Sequence, residues 1–154
     1  MLIEVSDRTR DLLVQSLPLM EHGKDALIEG LARYLRGGTG EANQDSELVA
    51  IVLTDLLIGQ ASHLVRSDAL LDLNGMRLEH SRLRLRGRHY SRFGDALAPV
   101  IRDVLGPKVP REVAGAWGDV FWAIVRAVQA LETDVNAAAH AASPNALSDA
   151  LHPI

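Results

Sequence analysis

In the segment LLDLNGMRLEHSRLRLRGRHYSRFGDAL, residues 70–97, the first histidine precedes the tyrosine by ten positions. His80 comes at the end of a short helical pattern, and Tyr90 begins the next one. Leu73 and Met76 lie seven and four residues before His80, so all three share one helix face. The pattern therefore predicts an imidazole beside an apolar surface at the end of a short helix.

The rest of the chain also has helical periodicity, because its apolar residues recur every three or four positions. We predict a first helix from Ser6 or Asp7 to a corner marked by Pro18 and Gly23, and a second from Lys24 to Arg36. A third runs from Glu47 to Val65, and a fourth from Ser67 to Arg82 is followed by a break at Gly87. The last two run from Tyr90 to Leu105 and from Pro110 onward. No segment shows convincing β alternation. The sequence predicts an all-α domain over residues 1–135 and an alanine-rich tail over residues 136–154.

Composition excludes several classes of site. The chain has 154 residues and no cysteine, which excludes disulfides, thiolate nucleophiles, iron–sulfur clusters and cysteine–zinc sites. A net charge of −4 argues against general affinity for nucleic acid. We find no signal-peptide pattern and expect no apolar stretch of the roughly eighteen residues that a membrane span needs. These features favour a single cytoplasmic domain.

The series of residues after His80 resembles a known family. Tyr90 is followed by Gly94-Asp95-Ala96-Leu97, then by Gly106 and by Ala116-Trp117. This order is similar to the haem domain of flavohaemoglobins and their single-domain bacterial relatives, most specifically from about Leu70 to Val128. The resemblance implies a globin fold, in which helices cross at steep angles around a haem pocket.

The resemblance also implies a proximal site. His80 is expected to be the axial ligand of the iron of haem b, with Met76 and Leu73 lining the pocket on the same helix face. Tyr90 and a carboxylate on the last helix are expected to orient the imidazole. That carboxylate comes seventeen residues after the tryptophan of the family, which corresponds to Asp134 here; Glu132 is close to it in sequence.

The distal side departs from the family. Counting back from His80 places Val49 above the iron and Leu53 one turn later, and Leu31 stands where flavohaemoglobins have a tyrosine. The resemblance therefore implies an apolar distal pocket, which offers bound dioxygen no hydrogen bond. The connection over residues 37–46 also lacks the aromatic residue that globins usually place against the haem.

An arginine-rich stretch stands out in an otherwise acidic chain. Its members are Arg77, Arg82, Arg84, Arg86, Arg88 and Arg92. We expect most of them to be solvated, and one or two to hold haem propionates, because guanidinium groups pair well with carboxylates. A DNA-associated helical regulator is a distant third interpretation of this stretch.

The resemblance predicts a haem protein that reversibly binds O2, NO or CO for sensing, storage or transfer. The alternative is a haem-free globin fold that serves as a signalling or protein-interaction module. Enzymatic activity is not expected, since nitric-oxide dioxygenation would need an external reductase. The predicted partners are haem and a diatomic gas, without nucleic acid or membrane, and a homodimer is left open.

Overall fold

The computed structural model describes residues 5–37, 43–67, 69, 73–85, 87–106 and 109–142, without the side chains of 43–45, 73 and 134–142. These residues form six helices and no β-sheet. The helices are α1 (Asp7–His22), α2 (Lys24–Gly37), α3 (Asn43–Ser67), α4 (Leu73–Arg82), α5 (Gly87–Leu105) and α6 (Arg111–Ala142). The prediction of an all-α fold is confirmed.

Helix α1 begins where the sequence predicts but does not turn at Pro18. Ser6 is its N-cap, and the Ser6 hydroxyl oxygen accepts a hydrogen bond from the Thr9 backbone N–H at 3.0 Å. Pro18 lies inside the helix, which continues to His22 and ends at Gly23. Proline costs the helix one bond, to the carbonyl of Val14, and both residues lie on the exposed face, where water can hydrate that carbonyl. The predicted corner is therefore at Gly23 alone.

Helix α3 is longer than predicted, because it runs from Asn43 to Ser67. Its segment Ser46–Ser67 is long and apolar enough to cross a membrane by length and composition, which contradicts the expectation that no stretch would qualify. Half of its most apolar window is buried inside the protein. The central helix of a folded domain has the same properties, so this segment alone is weak evidence for a membrane span.

The break between α4 and α5 comes earlier than Gly87. The Leu85 N–H donates to the His80 carbonyl at 3.0 Å, and the Arg84 N–H donates to the Ser81 carbonyl at 3.1 Å. This pair of bonds is a Schellman motif, in which one residue takes the left-handed conformation. Arg84 does so with φ of 59°, where glycine is usual. Gly87 instead begins α5.

The helices pack around a continuous apolar core. Extensive packing joins α2 to α3 and α5, α5 to α6, and α1 to α3 and α6. The core includes the fully buried Trp117, Phe93 and Phe121, and the last two rings have centroids 4.9 Å apart. Gly94 lets α5 approach α6, because a Cβ atom there would lie 2.6 Å from a ring carbon of Trp122.

A buried hydrogen bond joins the first and last helices. The Trp117 indole N–H donates to the Ser16 hydroxyl oxygen at 2.8 Å, and that hydroxyl donates to the Leu12 carbonyl at 2.6 Å. A buried indole N–H needs an acceptor, and Ser16 supplies one without breaking α1. This bond fixes the position of α6 relative to α1.

Helix α6 continues through the predicted start of the tail at residue 136 and reaches Ala142. Pro110 precedes it and accepts a bond from the Val113 N–H through its carbonyl, as expected for a helix start. Residues 143–154, the rest of the predicted tail, lie outside the described residues.

Candidate functional site

His80 is held in the last turn of α4 and is only 3% exposed. Its ring Nδ1 lies 2.7 Å from the hydroxyl oxygen of Tyr90, and this contact is buried. The two ring centroids are 5.6 Å apart, and the ring planes are tilted by 39°. The ten-residue separation in sequence therefore becomes a direct hydrogen bond between α4 and the first turn of α5.

Burial controls the ionisation of both groups. It lowers the pKa of His80 below its ordinary value of 6.5, although the negative charge of Glu79 opposes this shift. Burial, together with a smaller effect of the negative charge of Glu132, raises the pKa of Tyr90 to about 12. Near neutral pH the pair is therefore an uncharged imidazole and a protonated phenol.

The hydrogen bond can be made in two ways, because a neutral imidazole carries one N–H. If Tyr90 donates to Nδ1, the proton of His80 is on Nε2. If Nδ1–H donates to the Tyr90 oxygen, Nε2 has a free lone pair and the phenolic O–H can donate elsewhere. Only the second tautomer allows His80 to bind a metal through Nε2. Tyr90 can accept the Nδ1 proton that this tautomer requires.

Glu132 is the carboxylate whose charge acts on Tyr90. It lies on α6, which packs against both α4 and α5, and its side chain is partly buried. The backbone of Asp134 is also in α6, but its side chain is outside the described part, so its predicted contact with His80 is untested. The count from Trp117 in the family indicated Asp134, two residues after Glu132, and it gave no sign that the charge of Glu132 acts on Tyr90.

The remaining residues predicted to line the pocket are buried. Leu31, Val49, Leu53 and Met76 are each at most 7% exposed, and they belong to α2, α3 and α4. Such low exposure means that no open slot borders these side chains. The side chain of Leu73 lies outside the described residues. A flat ligand between α3 and α4 would therefore have to displace packed side chains.

The arginine-rich stretch separates into different environments. Arg82, Arg84 and Arg88 are exposed, and Arg86 lies outside the described residues. Arg92 donates through Nη2 to the carbonyl of Leu35, near the end of α2, so it has a structural role. Arg77 is partly buried on α4, one turn before His80.

The described residues contain no group of three or more histidine, cysteine, aspartate or glutamate side chains that could hold a metal ion. The chain matches no known family model and no curated protein. The function of the site therefore has to be inferred from its own geometry. A single buried imidazole with a fixed partner on Nδ1 can bind a metal that brings its other ligands with it, as haem iron does.

Proposed function

We propose that the chain binds one haem b through Nε2 of His80 and uses the iron to bind a diatomic gas. The observation that carries this proposal is the buried hydrogen bond between His80 Nδ1 and Tyr90. An imidazole that ligates a metal usually gives its other N–H to a fixed acceptor, which sets the tautomer and the ring orientation. The lowered pKa of His80 also favours the neutral form that a metal needs.

The arrangement of the helices supports a ligand between α3 and α4. In the part of the chain that the structure describes, α6 is the one helix against which α4 packs extensively, and α3 packs against α1, α2, α5 and α6. A ligand entering between α3 and α4 would therefore separate two helices that share little packing. The residues facing such a ligand from α2 and α3 would be Leu31, Val49 and Leu53. An all-α fold is the class to which globins belong, so the helical architecture is compatible with this proposal.

Haem would supply a redox-active iron that can bind a diatomic gas. His80 would provide the proximal bond, Tyr90 would hold the imidazole, and Glu132 would add negative charge behind the pair. Apolar side chains would exclude water from the other face. Sensing, storage and transfer of O2, NO or CO would all use these same residues, and haem itself would supply the chemistry of gas binding.

The test is a titration of the purified haem-free protein with hemin, followed by reduction and addition of carbon monoxide. We expect one equivalent to bind, with a Soret band that shifts with carbon monoxide. His80→Gly should lose stable binding and regain it with added imidazole. His63→Gly, on α3, is the histidine control and should behave as the wild type. A wild-type protein that takes up no hemin would overturn the proposal.

The second candidate is a haem-free signalling or protein-interaction module with the same helical fold. The observation that favours it is the burial of Leu31, Val49, Leu53 and His80, each of which is at most 6% exposed. In that case the His80–Tyr90 pair would serve as a buried polar link between α4 and α5. The hemin titration separates the two candidates, because this one predicts no uptake at any concentration that keeps the protein folded.

A further inference from the structure

Arg77 has a side-chain donor with no acceptor among the residues that the structure describes. Its Nε atom is buried, and no acceptor lies within hydrogen-bond distance among the described residues. Its Nη2 atom donates to the Asn74 side-chain oxygen at 3.0 Å, within the same helix. A buried guanidinium N–H without an acceptor costs free energy, and native proteins contain few such groups. The unpaired Nε–H of Arg77 is therefore available to an acceptor from a ligand.

The position of Arg77 on α4 places it beside the imidazole. It lies three residues before His80, and residues three apart are neighbours on a helix surface. Asn74, which lies a further three residues back, holds one end of the guanidinium and so fixes its orientation. The N–H of Nε and the second N–H of Nη2 form one edge of the guanidinium, which matches the two oxygens of a carboxylate.

The other charged side chains near His80 do not offer a buried donor for a carboxylate. Glu79 is exposed and close enough for its charge to act on His80, so it would repel an anionic ligand. Arg82 and Arg84 follow the imidazole and are exposed, and Arg92 is bonded to the carbonyl of Leu35. Arg77 is the arginine of this stretch for which the structure describes a buried, unpaired donor.

We propose that Arg77 binds a carboxylate of the ligand held at His80, which for haem is one propionate. This inference rests on the proposed function and adds a second point of attachment on the same helix. One turn of α4 would then supply both the bond to iron and the ion pair to the edge of the porphyrin. The ion pair would set the rotation of the ring about the axis from His80 to iron.

The test compares hemin with hemin dimethyl ester, in which the two propionates carry no charge. Dissociation constants are measured for the wild type, Arg77→Met, Arg77→Lys and the control Arg82→Met, which lies on the same helix. Arg77→Met should weaken hemin binding about tenfold or more, since hydrogen bonds to charged groups have that magnitude. It should leave binding of the dimethyl ester within about twofold of the wild type. Arg82→Met should change neither.

Two further measurements separate a structural role from a binding role. The melting temperature of haem-free Arg77→Met should stay close to that of the wild type, because Nε has no acceptor among the described residues and the lost bond from Nη2 to Asn74 is exposed. Arg77→Lys keeps the charge and loses the Nε–H edge, so we expect an intermediate affinity for hemin. Equal weakening of hemin and its ester, or no weakening of either, would overturn the inference while leaving the proposed function intact. Failure of the wild type to bind hemin would overturn both.

Discussion

The Nδ1 atom of His80 and the hydroxyl oxygen of Tyr90 are 2.7 Å apart in the interior of the protein, where both side chains are almost fully buried. The bond crosses from the end of α4 to the start of α5 and is made between two uncharged groups near neutral pH. It satisfies a ring nitrogen that would otherwise be buried without a partner. Several measurable properties depend on it.

Tyr90→Phe should destabilise the haem-free protein by about 1–3 kcal/mol, because it leaves Nδ1 of His80 buried without a hydrogen bond. The free energy of unfolding, measured by urea denaturation near pH 7, tests this directly. Tyr34→Phe is the matched control: its ring is 50% exposed, and removal of that hydroxyl should change stability by no more than about 0.5 kcal/mol. Equal effects of the two variants would argue against an energetic role for the buried bond.

The stability of the haem-free protein should depend on pH through His80. Burial lowers the His80 pKa below 6.5 in the folded state, so the unfolded chain takes up a proton first as the pH falls. This contribution is therefore complete above about pH 6.5 and decreases below it, by at most about 1.4 kcal/mol per pH unit. His80→Gln should lose this part of the pH dependence in urea denaturation between pH 7.5 and 5, and a variant of the exposed His22 should keep it. A profile unchanged in His80→Gln would contradict the assignment.

Glu132 and Asp134 can be distinguished by their effect on the haem-loaded protein. The charge of Glu132 already acts on Tyr90, so Glu132→Gln should lower the iron–histidine stretching frequency of the ferrous form by reducing the electron density that His80 donates. The family resemblance instead predicts this effect for Asp134→Asn. Resonance Raman spectra of the two variants, compared with Tyr90→Phe, decide between them. A shift in Asp134→Asn alone would mean that the family pattern holds and that the charge of Glu132 does not reach the iron through His80.

Dioxygen should dissociate quickly from the reduced haem protein relative to carbon monoxide. Leu31, Val49 and Leu53 have no donor for bound dioxygen, and the lost hydrogen bond corresponds to on the order of 1 kcal/mol, or roughly tenfold in rate. Stopped-flow release rates measure this. Slow release of dioxygen would require a polar group near the iron. Thr54 on α3 would be the first to substitute, because its buried hydroxyl has no partner among the described residues.

Gly94→Ala should destabilise the fold by about 1–3 kcal/mol, because the added Cβ would lie 2.6 Å from the Trp122 ring and force α5 away from α6. Gly118→Ala is the control in α6, where an added Cβ meets nothing within 4 Å. That change should stabilise the helix by about 0.5–1 kcal/mol. Denaturation midpoints of the two variants should therefore move in opposite directions, and a shared direction would contradict this account of the crossing.

Local sequence was sufficient to predict the all-α class, the start of α1 at Ser6 or Asp7 and the end of α5 at Leu105, because these features depend on helical periodicity and on residues that begin or end a helix. It failed where tertiary context overrides a local preference. Pro18 is tolerated inside α1 on its exposed face, and Arg84 takes the left-handed position that glycine usually occupies. The propensity of a single residue does not show which face of a helix is exposed, as at Pro18, or where the folded chain must turn, as at Arg84.

The candidate site also combines a feature that the sequence predicted with features that depend on the folded structure. The spacing of His80 and Tyr90 pointed to a pair, and the structure places them in contact. The sequence could not show that the charge of Glu132 acts on Tyr90, because the reach of a carboxylate on α6 depends on the rotation of that helix about its axis. The buried Nε donor of Arg77 also could not be read from a stretch of six arginines. The six arginines are alike in sequence, and only their burial and hydrogen-bond partners in the folded protein distinguish Arg77 from the others.

The cap of α4 has a mechanical consequence. The His80 carbonyl receives the Leu85 amide, and the His80 ring is bonded to Tyr90, so the chain between residues 80 and 90 is a loop fastened twice to one residue. The imidazole cannot tilt or translate without pulling on the first turn of α5. A displacement of the ring is therefore transmitted to α5 through the bond to Tyr90, and His80 couples the movements of α4 and α5.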